Sequence, residues 1–486
     1  MSHEFHSFYY DQMQREPSTD DFRLPAGTEM TEGLLQRLVD EFEQDHKPRY
    51  EYLDKVYDTH YAIFDRSWRR KPDYKPDNRL SADFCYTITD TFEGYYIGVP
   101  MTLSVKGEDD GRKKAAEAFI ADYTARNFQE DVDAELSEMA SKFGHAYEML
   151  YQDDEGLPRS VAVSPLAAFM VYDDSVLKRP MFFVRWFYGD DGEIKGSYSD
   201  AHKVVPFRRG DAGLEFGEAE GHSFGSVPAV DFRQNTKGRG LYEGVLSMVE
   251  QYNAVLSEKS NDVEYFSDCY MVVKGKELDD DEIVNIRENK IINLYGDSLE
   301  GLDVVFLAKP NADSVQENLI NRLEQLIFKM AMVPDITSDS FVTASGIALK
   351  MRMMPMSNLA RKKDRKFKRG VQERLKLLAA YPLSQGFSGD DWKAVEVTMH
   401  RNMPDDLESE AGVAGQLSGI VSEETQLSVL SCVSDPKAEM RRKREEQDEK
   451  ADAISGGMPT NRTAPHDENQ DENQDEEGTN DEGSDL

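Results

Sequence analysis

The chain has 486 residues, 39% of them hydrophobic and 31% charged, enough for two or three ordinary domains with real cores under a very polar surface. Lys and Arg number 57 against 93 Asp and Glu, a formal net charge of −36. That balance excludes holding DNA by overall charge, because such binding neutralises phosphates with basic residues and releases their counterions.

No apolar run approaches the ~20 residues that a bilayer-spanning helix needs. The first residues, MSHEFHSFYYDQMQREPSTD, lack the basic and apolar regions of a signal peptide, so no membrane or secretory route is expected. Cys85, Cys269 and Cys432 lie far apart and form no CxxC pair. Buried, reduced thiols are expected, not disulfides or a zinc site.

Residues 1–45 are polar and irregular, with helical periodicity near Glu32–Phe42. Residues 48–75, rich in Tyr, Arg and Lys, predict an amphipathic helix and a turn. Arg112–Asn127 and Glu130–Phe143 each carry the helical period. After Leu157 the pattern changes to short runs separated by Gly, Asp and Ser: Ser160–Val163, Met181–Tyr188, Lys203–Arg208 and Val227–Phe232. These predict antiparallel strands.

Two long helices with an insert between them come next. Val245, Val249, Tyr252 and Leu256 mark the first, and Leu319, Leu323, Leu326 and Met330 the second. Each set forms one apolar stripe, which predicts an antiparallel pair. Ser314 followed by Glu317 predicts a capping box at the start of the second helix. Within the insert, strands are expected at Cys269–Lys274, Ile291–Tyr295 and Leu302–Ala308, with an acidic helix over Leu278–Arg287.

A small polar loop, Val333–Gly346, leads to a long basic helix, Ile347–Tyr381. Its apolar stripe is Phe367, Val371, Leu375 and Leu378, and Pro355 should kink or interrupt it. Two more helices are expected within 405–450. The DENQ-rich tail, Asp467–Glu477, is too polar to bury a core and predicts disorder. Residues 466–486 hold ten acids and no Lys or Arg, so removing them takes −36 to about −26. The rest of the chain is therefore acidic too. The fold class expected is α+β, predominantly helical.

Signatures of catalysis are weak. There is no GxxxxGK[ST], no HExxH and no metal-spaced Cys/His cluster. Gly238-Arg239-Gly240 opens like a dinucleotide fingerprint, but the third glycine, Gly244, falls one place late. Gly221-His222-Ser223-Phe224-Gly225 matches GxSxG, yet the sequence after Ser223 reads as a strand, where a nucleophile elbow needs a helix. A hairpin turn is the better reading, and a serine hydrolase at Ser223 stays as the alternative. Glu277, Asp279, Asp280, Asp281 and Glu282 lack the spacing of a calcium loop and suit a solvated helix start. Lys362, Lys363, Arg365, Lys366 and Arg369 form a basic cluster for phosphate or for acids of a neighbouring subunit. No cofactor, metal or catalytic residue is expected.

Six motifs in order give the chain an identity. Asn78-Arg79-Leu80 precedes Gly94-Tyr95-Tyr96-Ile97-Gly98-Val99-Pro100. Gly144-His145-Ala146-Tyr147-Glu148 and Val227-Pro228-Ala229-Val230-Asp231-Phe232 follow. Then come Tyr252-Asn253 with Ser257 and Asn261-Asp262, Ser345-Gly346-Ile347-Ala348-Leu349-Lys350, and Asp435-Pro436-Lys437-Ala438-Glu439. Together they resemble the portal, or head-tail connector, family of long-tailed phages of Gram-positive bacteria. Ala229 stands where that family often has Val.

The resemblance implies a ring, usually dodecameric, at one vertex of the virion capsid, assembled in the host cytoplasm. It implies an N-terminal arm (1–45), a wing (46–240), stem helices (241–266 and 313–332) and a clip (267–312). A tunnel loop (333–346), a long helix to the wing (347–381) and the wing end with a helical crown (382–455) complete the subunit, ahead of the tail (456–486). Implied partners are further copies of the chain, the terminase large subunit, head-completion or adaptor proteins, scaffold and major capsid protein, and double-stranded DNA in transit. Asp335, Asp339, Ser340, Phe341 and Thr343 are then the candidates to face DNA, and the acids Glu277 to Glu282 the candidates for docking the motor. Another phage head protein, such as an adaptor, is the remaining alternative.

Overall fold

The computed structural model describes residues 21–65, 76–107, 110–190, 192–210, 213–267, 271–274, 303–306, 313–338, 341, 346–403, 407–430, 432–433 and 435–455. They fall into two units, Met1–Met403 and Pro404–Leu486.

The first unit is α+β. Strand β1 (Phe22–Leu24) precedes helix α1 (Glu32–Glu41), whose first turn is capped by Thr31 accepting from the Leu34 amide. A π-helical turn carries the chain into α2 (Lys47–Tyr57). Helix α3 (Phe84–Tyr96) ends within the Gly-Tyr-x-x-Gly-x-Pro motif, covering its first three residues, and Asp83 caps it through the Tyr86 amide. After β2 (Thr102–Val105), helices α4 (Asp110–Asn127) and α5 (Gln129–Phe143) meet at an elbow where Phe128 has φ 48. Helix α5 ends on Gly144 at φ +95, where a Cβ would stand 2.0 Å from the Gly238 carbonyl oxygen. Only glycine fits there.

Strands follow: β3 (His145–Gln152), β4 (Pro158–Val163), β5 (Ala168–Asp173), β6 (Pro180–Tyr188), β7 (Ile194–Ser199), β8 (Lys203–Gly210), β9 (Gly213–Phe216), β10 (Glu220–Gly221) and β11 (Ala229–Arg233). One sheet of seven strands runs β1-β5-β6-β7-β8-β10, with β9 also on β8. Its pairs are antiparallel except β1 with β5. A second sheet runs β11-β3-β4.

Alternate residues explain how these layers stack. On β5, Phe169 and Val171 enter the main core, whereas Ala168 and Met170 enter a smaller core with Tyr147, Phe183 and Ala229. The strand is buried on both faces, so its sequence, AFMVYD, shows no in-out alternation. Sequence periodicity alone misses such a strand.

Helix α6 (Leu246–Ser267) and helix α7 (Asp313–Ala331) are the two long helices expected. Between them, β12 (Met271–Lys274) pairs antiparallel with β13 (Asp303–Phe306). The expected Ile291–Tyr295 strand and the acidic helix lie outside the described residues. Two details of α7 correct the sequence reading. It starts at Asp313, so Ser314 is already helical, and the Glu317 carboxylate pairs with Lys259 of α6. Its buried stripe is Ile320, Leu323, Ile327 and Ala331, while Leu319 and Met330 are exposed. Leucines on both sides of the stripe fit the same period, and packing against α6 chose the face.

Helix α8 (Gly346–Ala380) runs through Pro355 without interruption, so of the kink or interruption expected there the interruption is absent. Met353, Met356 and Ala360 are buried on either side of the proline, and this packing holds the turns in place. Phe367, Val371, Leu375 and Leu378 are buried as expected. At Gly370 a Cβ would lie 2.7 Å from the Phe232 ring of β11. Gly370→Val should therefore force these elements apart and cost on the order of 1–3 kcal/mol in urea unfolding, despite the helix propensity regained. Strand β14 (Val395–Thr398) closes the unit by pairing antiparallel with β2.

The second unit holds α9 (Leu407–Leu417), α10 (Glu423–Leu427) and α11 (Pro436–Ser455). Lys443 of α11 binds Glu423 of α10 at 2.6 Å, and Gln426 donates to the Ala414 carbonyl. Cys432 is exposed here, contrary to the expectation of buried thiols, while Cys85 is buried. Burial pushes the Cys85 thiol up to about 12. The acidic tail lies outside the described residues.

Candidate functional site

The most ordered construction around the long helices is a polar ladder. Asn253, Ser257 and Asn261 stand at four-residue steps on α6, and all are buried. The Ala82 amide donates to Asn253 Oδ1 at 2.8 Å, the Leu80 amide to Ser257 Oγ at 2.9 Å and the Asn78 amide to Asn261 Oδ1 at 2.6 Å. Four helical residues rise about 6.0 Å, and two extended residues about 6.6 Å. Every second amide of the ribbon thus meets every fourth side chain of the helix. The sequence signal for this is a run of short polar residues where an apolar stripe would be expected.

From the other side, Phe84 of α3 wedges between the helices. Its ring sits edge-on at 4.9 Å from Tyr252 and 5.6 Å from Phe328. Gln316 of α7 also donates to Asp262 of α6 at 3.1 Å. The helix pair is therefore fixed to α3 and its preceding ribbon by both polar and aromatic contacts.

The loop after α7 has few described residues. Val333 is buried. Asp335 Oδ1 accepts from the Thr337 amide at 3.0 Å and from Thr337 Oγ1 at 2.7 Å, so this carboxylate shapes its own turn. Phe341 is half-buried and packs against the main core of its own chain. Asp339, Ser340 and Thr343 lie outside the described residues. So do Glu277, Asp279, Asp280, Asp281 and Glu282.

The basic helix divides into two classes of cation. Lys363 was expected on the surface and is instead fully buried. Its Nζ lies 2.6 Å from Glu93 Oε1 and 2.9 Å from both the Ser137 carbonyl and Ser141 Oγ. Burial lowers the Lys363 pKa, against the pull of Glu93. Periodicity already hinted at this, since Lys363 shares its face with Phe367 and Arg374. Arg374 is buried as well, 2.6 Å from Glu148 and paired with Asp133. Burial raises the Glu148 pKa even against Arg374, whose own pKa its acids raise. By contrast Lys362, Arg365 and Arg369 are exposed, Lys366 is half-buried, and none of the four has an ion pair among the described residues.

Ser223 lies exposed in the loop between β10 and β11. The next element is a strand, so no helix N-terminus aims amides beside its hydroxyl. His222 Nε2 is 2.9 Å from the Asp200 carbonyl oxygen. Among the described residues no group of His, Cys, Asp or Glu could hold a metal ion. None of their helices is long and apolar enough to cross a membrane.

Comparison with known proteins decides the family. Residues 36–453 match the family model described as "Phage portal protein, SPP1 Gp6-like". The chain belongs to this family of phage portal proteins. It is 21% identical over 476 residues to a portal protein of Bacillus phage SPP1, covering 88% of this chain and 92% of the relative. A portal protein of Clostridium phage phiCD119 is 21% identical over 373 residues, covering 71% and 79%. Portal proteins are structural components of the virion capsid, so the chain is a structural protein and not an enzyme. The chemistry of Ser223 fits that assignment.

Within the portal family, the ordered motifs of the first unit acquire physical roles. Glu93, at the head of the Gly-Tyr-x-x-Gly-x-Pro motif, receives Lys363 of the long helix. Glu148, at the end of Gly-His-Ala-Tyr-Glu, receives Arg374. Asn253, Ser257 and Asn261 receive the Asn-Arg-Leu ribbon. These residues carry assembly of the subunit itself.

Proposed function

We propose that the chain closes into a ring at one capsid vertex and serves as the conduit for double-stranded DNA in packaging and ejection. On this reading α6 and α7 are the stem, the residues between them the clip, 333–346 the tunnel loop and α8 the helix reaching the wing. Residues 1–45 form the arm, 46–240 the wing, and 382–455 the wing end and crown. The clip receives the terminase large subunit and later the head-completion proteins.

One observation carries the ring. The helix pair leaves large apolar residues in water: Val263 on α6 is 66% exposed, and on α7 Val315 is 68%, Leu319 43% and Met330 54% exposed. Val315, Leu319 and Met330 fall on one side of α7, and a chain with this much polar surface has no reason to display such a row unless another subunit covers it. The charge supports the conduit. Phosphates repeat every ~1.7 Å along duplex DNA, and a basic bore would hold them through counterion release. A chain at −36 repels DNA and leaves it free to slide.

Electron microscopy of the purified chain tests this reading. Closed rings with a hole of duplex width are expected. A monodisperse monomer at high concentration overturns it.

A further inference from the structure

Two charged strips on the first unit match each other and cannot meet within one chain. The first lies on α8. Arg361, Arg365 and Arg369 are exposed at four-residue steps, and none has an ion pair among the described residues. The acid within this stretch, Asp364, is already taken by Arg401 at 2.5 Å. The second strip lies on α5. Asp131, Glu135 and Glu138 are exposed at steps of four and three, again without an ion pair among the described residues. Glu138 accepts from the Tyr57 hydroxyl, a neutral partner. Burial and then the charges of Asp131 and Glu138 raise the Glu135 pKa, so like charges are crowded there without relief.

Their placement explains why they stay apart. Helices α5 and α8 are tied together through Lys363 to Ser137 and Ser141, and through Arg374 to Asp133. Arg361 and Arg365 lie two residues from Lys363, about 200° around the helix. Asp131 and Glu135 stand in the same relation to Asp133. Arg361, Arg365, Asp131 and Glu135 therefore point away from the other helix, and Glu138 flanks its strip on the side of Tyr57. At about 1.5 Å per residue, the basic strip spans about 12 Å and the acidic one about 10 Å.

We propose that in the assembled ring Arg361, Arg365 and Arg369 of one subunit face Asp131, Glu135 and Glu138 of the next. This rests on the ring reading and names a contact within it. A ring closes through heterologous interfaces, in which two different faces of the same subunit meet. Oppositely charged strips of similar length on opposite sides of a helix pair satisfy that geometry. DNA is the less favoured occupant of the basic strip, because the chain around it is strongly acidic.

The test is a charge exchange read by electron microscopy and native mass spectrometry. One variant carries Arg361→Glu, Arg365→Glu and Arg369→Glu, and the other Asp131→Lys, Glu135→Lys and Glu138→Lys. Each alone should keep its circular dichroism spectrum and lose at least about tenfold in ring yield. Mixed, they should form rings again, with the two variants in equal number, because every interface of an alternating ring is then complementary. Wild-type rings that persist in either variant alone overturn the contact, as does a mixture that fails to assemble. Rings that persist in the arginine variant while its binding to a labelled duplex is lost assign the strip to DNA. A wild-type chain without rings overturns the ring reading and the contact together.

Discussion

Arg374→Ala should lower the unfolding free energy by about 3–5 kcal/mol, the usual cost of removing one partner from a buried ion pair. The loss arises because Glu148 and Asp133 keep their places with no cation between them. Glu148 is fully buried, and its remaining donor is Gln129 Nε2 at 3.2 Å. Urea unfolding of the first unit reads the change. The deficit should also depend on pH. Glu148 already holds its proton more tightly when folded than its ordinary 4.5, because burial disfavours the carboxylate. Without Arg374 that preference grows. A folded state that binds more protons than the unfolded one gains stability as pH falls. The gap between variant and wild type should therefore be widest at neutral pH and narrow as pH falls toward the ordinary glutamate range. A gap that stays constant from pH 7 to pH 5 contradicts a buried, unpaired Glu148.

Lys363→Ala should cost a similar amount, about 3 kcal/mol, for a related reason. Its ammonium joins Glu93 of α3 to Ser137 and Ser141 of α5, and lies 4.5 Å from the centroid of Tyr96. Removing it leaves a carboxylate among two hydroxyls and an aromatic wall. Lys363→Ala combined with Glu93→Gln should recover part of the loss, since the amide carries no charge to desolvate. Thermal unfolding of the four chains of this cycle gives the coupling directly. Additive losses, with no coupling between the positions, contradict the contact.

Both predictions fall on residues that the sequence placed wrongly or left unused. Lys363 stands among seven cations between Arg361 and Arg369, and composition alone reads them all as surface. A helix divides such a run by angle: a cation two residues away from a buried one faces water. The same effect displaced the expected stripe of α7 from Leu319 to Ile320, because both positions fit the period and only packing selects between them. Strands β1 and β14, of three and four residues, are too short to carry a pattern. Strand β5 carries none because it is buried on both faces.

The exposed basic strip gains meaning from the buried cations beside it. Once Lys363 and Arg374 are accounted for, Arg361, Arg365 and Arg369 of α8 form a row with no ion pair among the described residues. Their orientation is set by the two buried pairs, so a loss of either pair should disturb subunit packing and the face offered to a neighbour.

By itself, the sequence determined the family, the α+β class, the pair of long helices and the long basic helix after them. Those features are local or short-range: ordered motifs, apolar periods and turn residues persist in one dimension. Tertiary structure alone decided which cations are buried, which face of α7 is covered and what Asn253, Ser257 and Asn261 are for. Each of these depends on residues far apart in the chain, from 54 positions for Asp262 with Gln316 to 270 for Glu93 with Lys363, whose meeting no local period encodes.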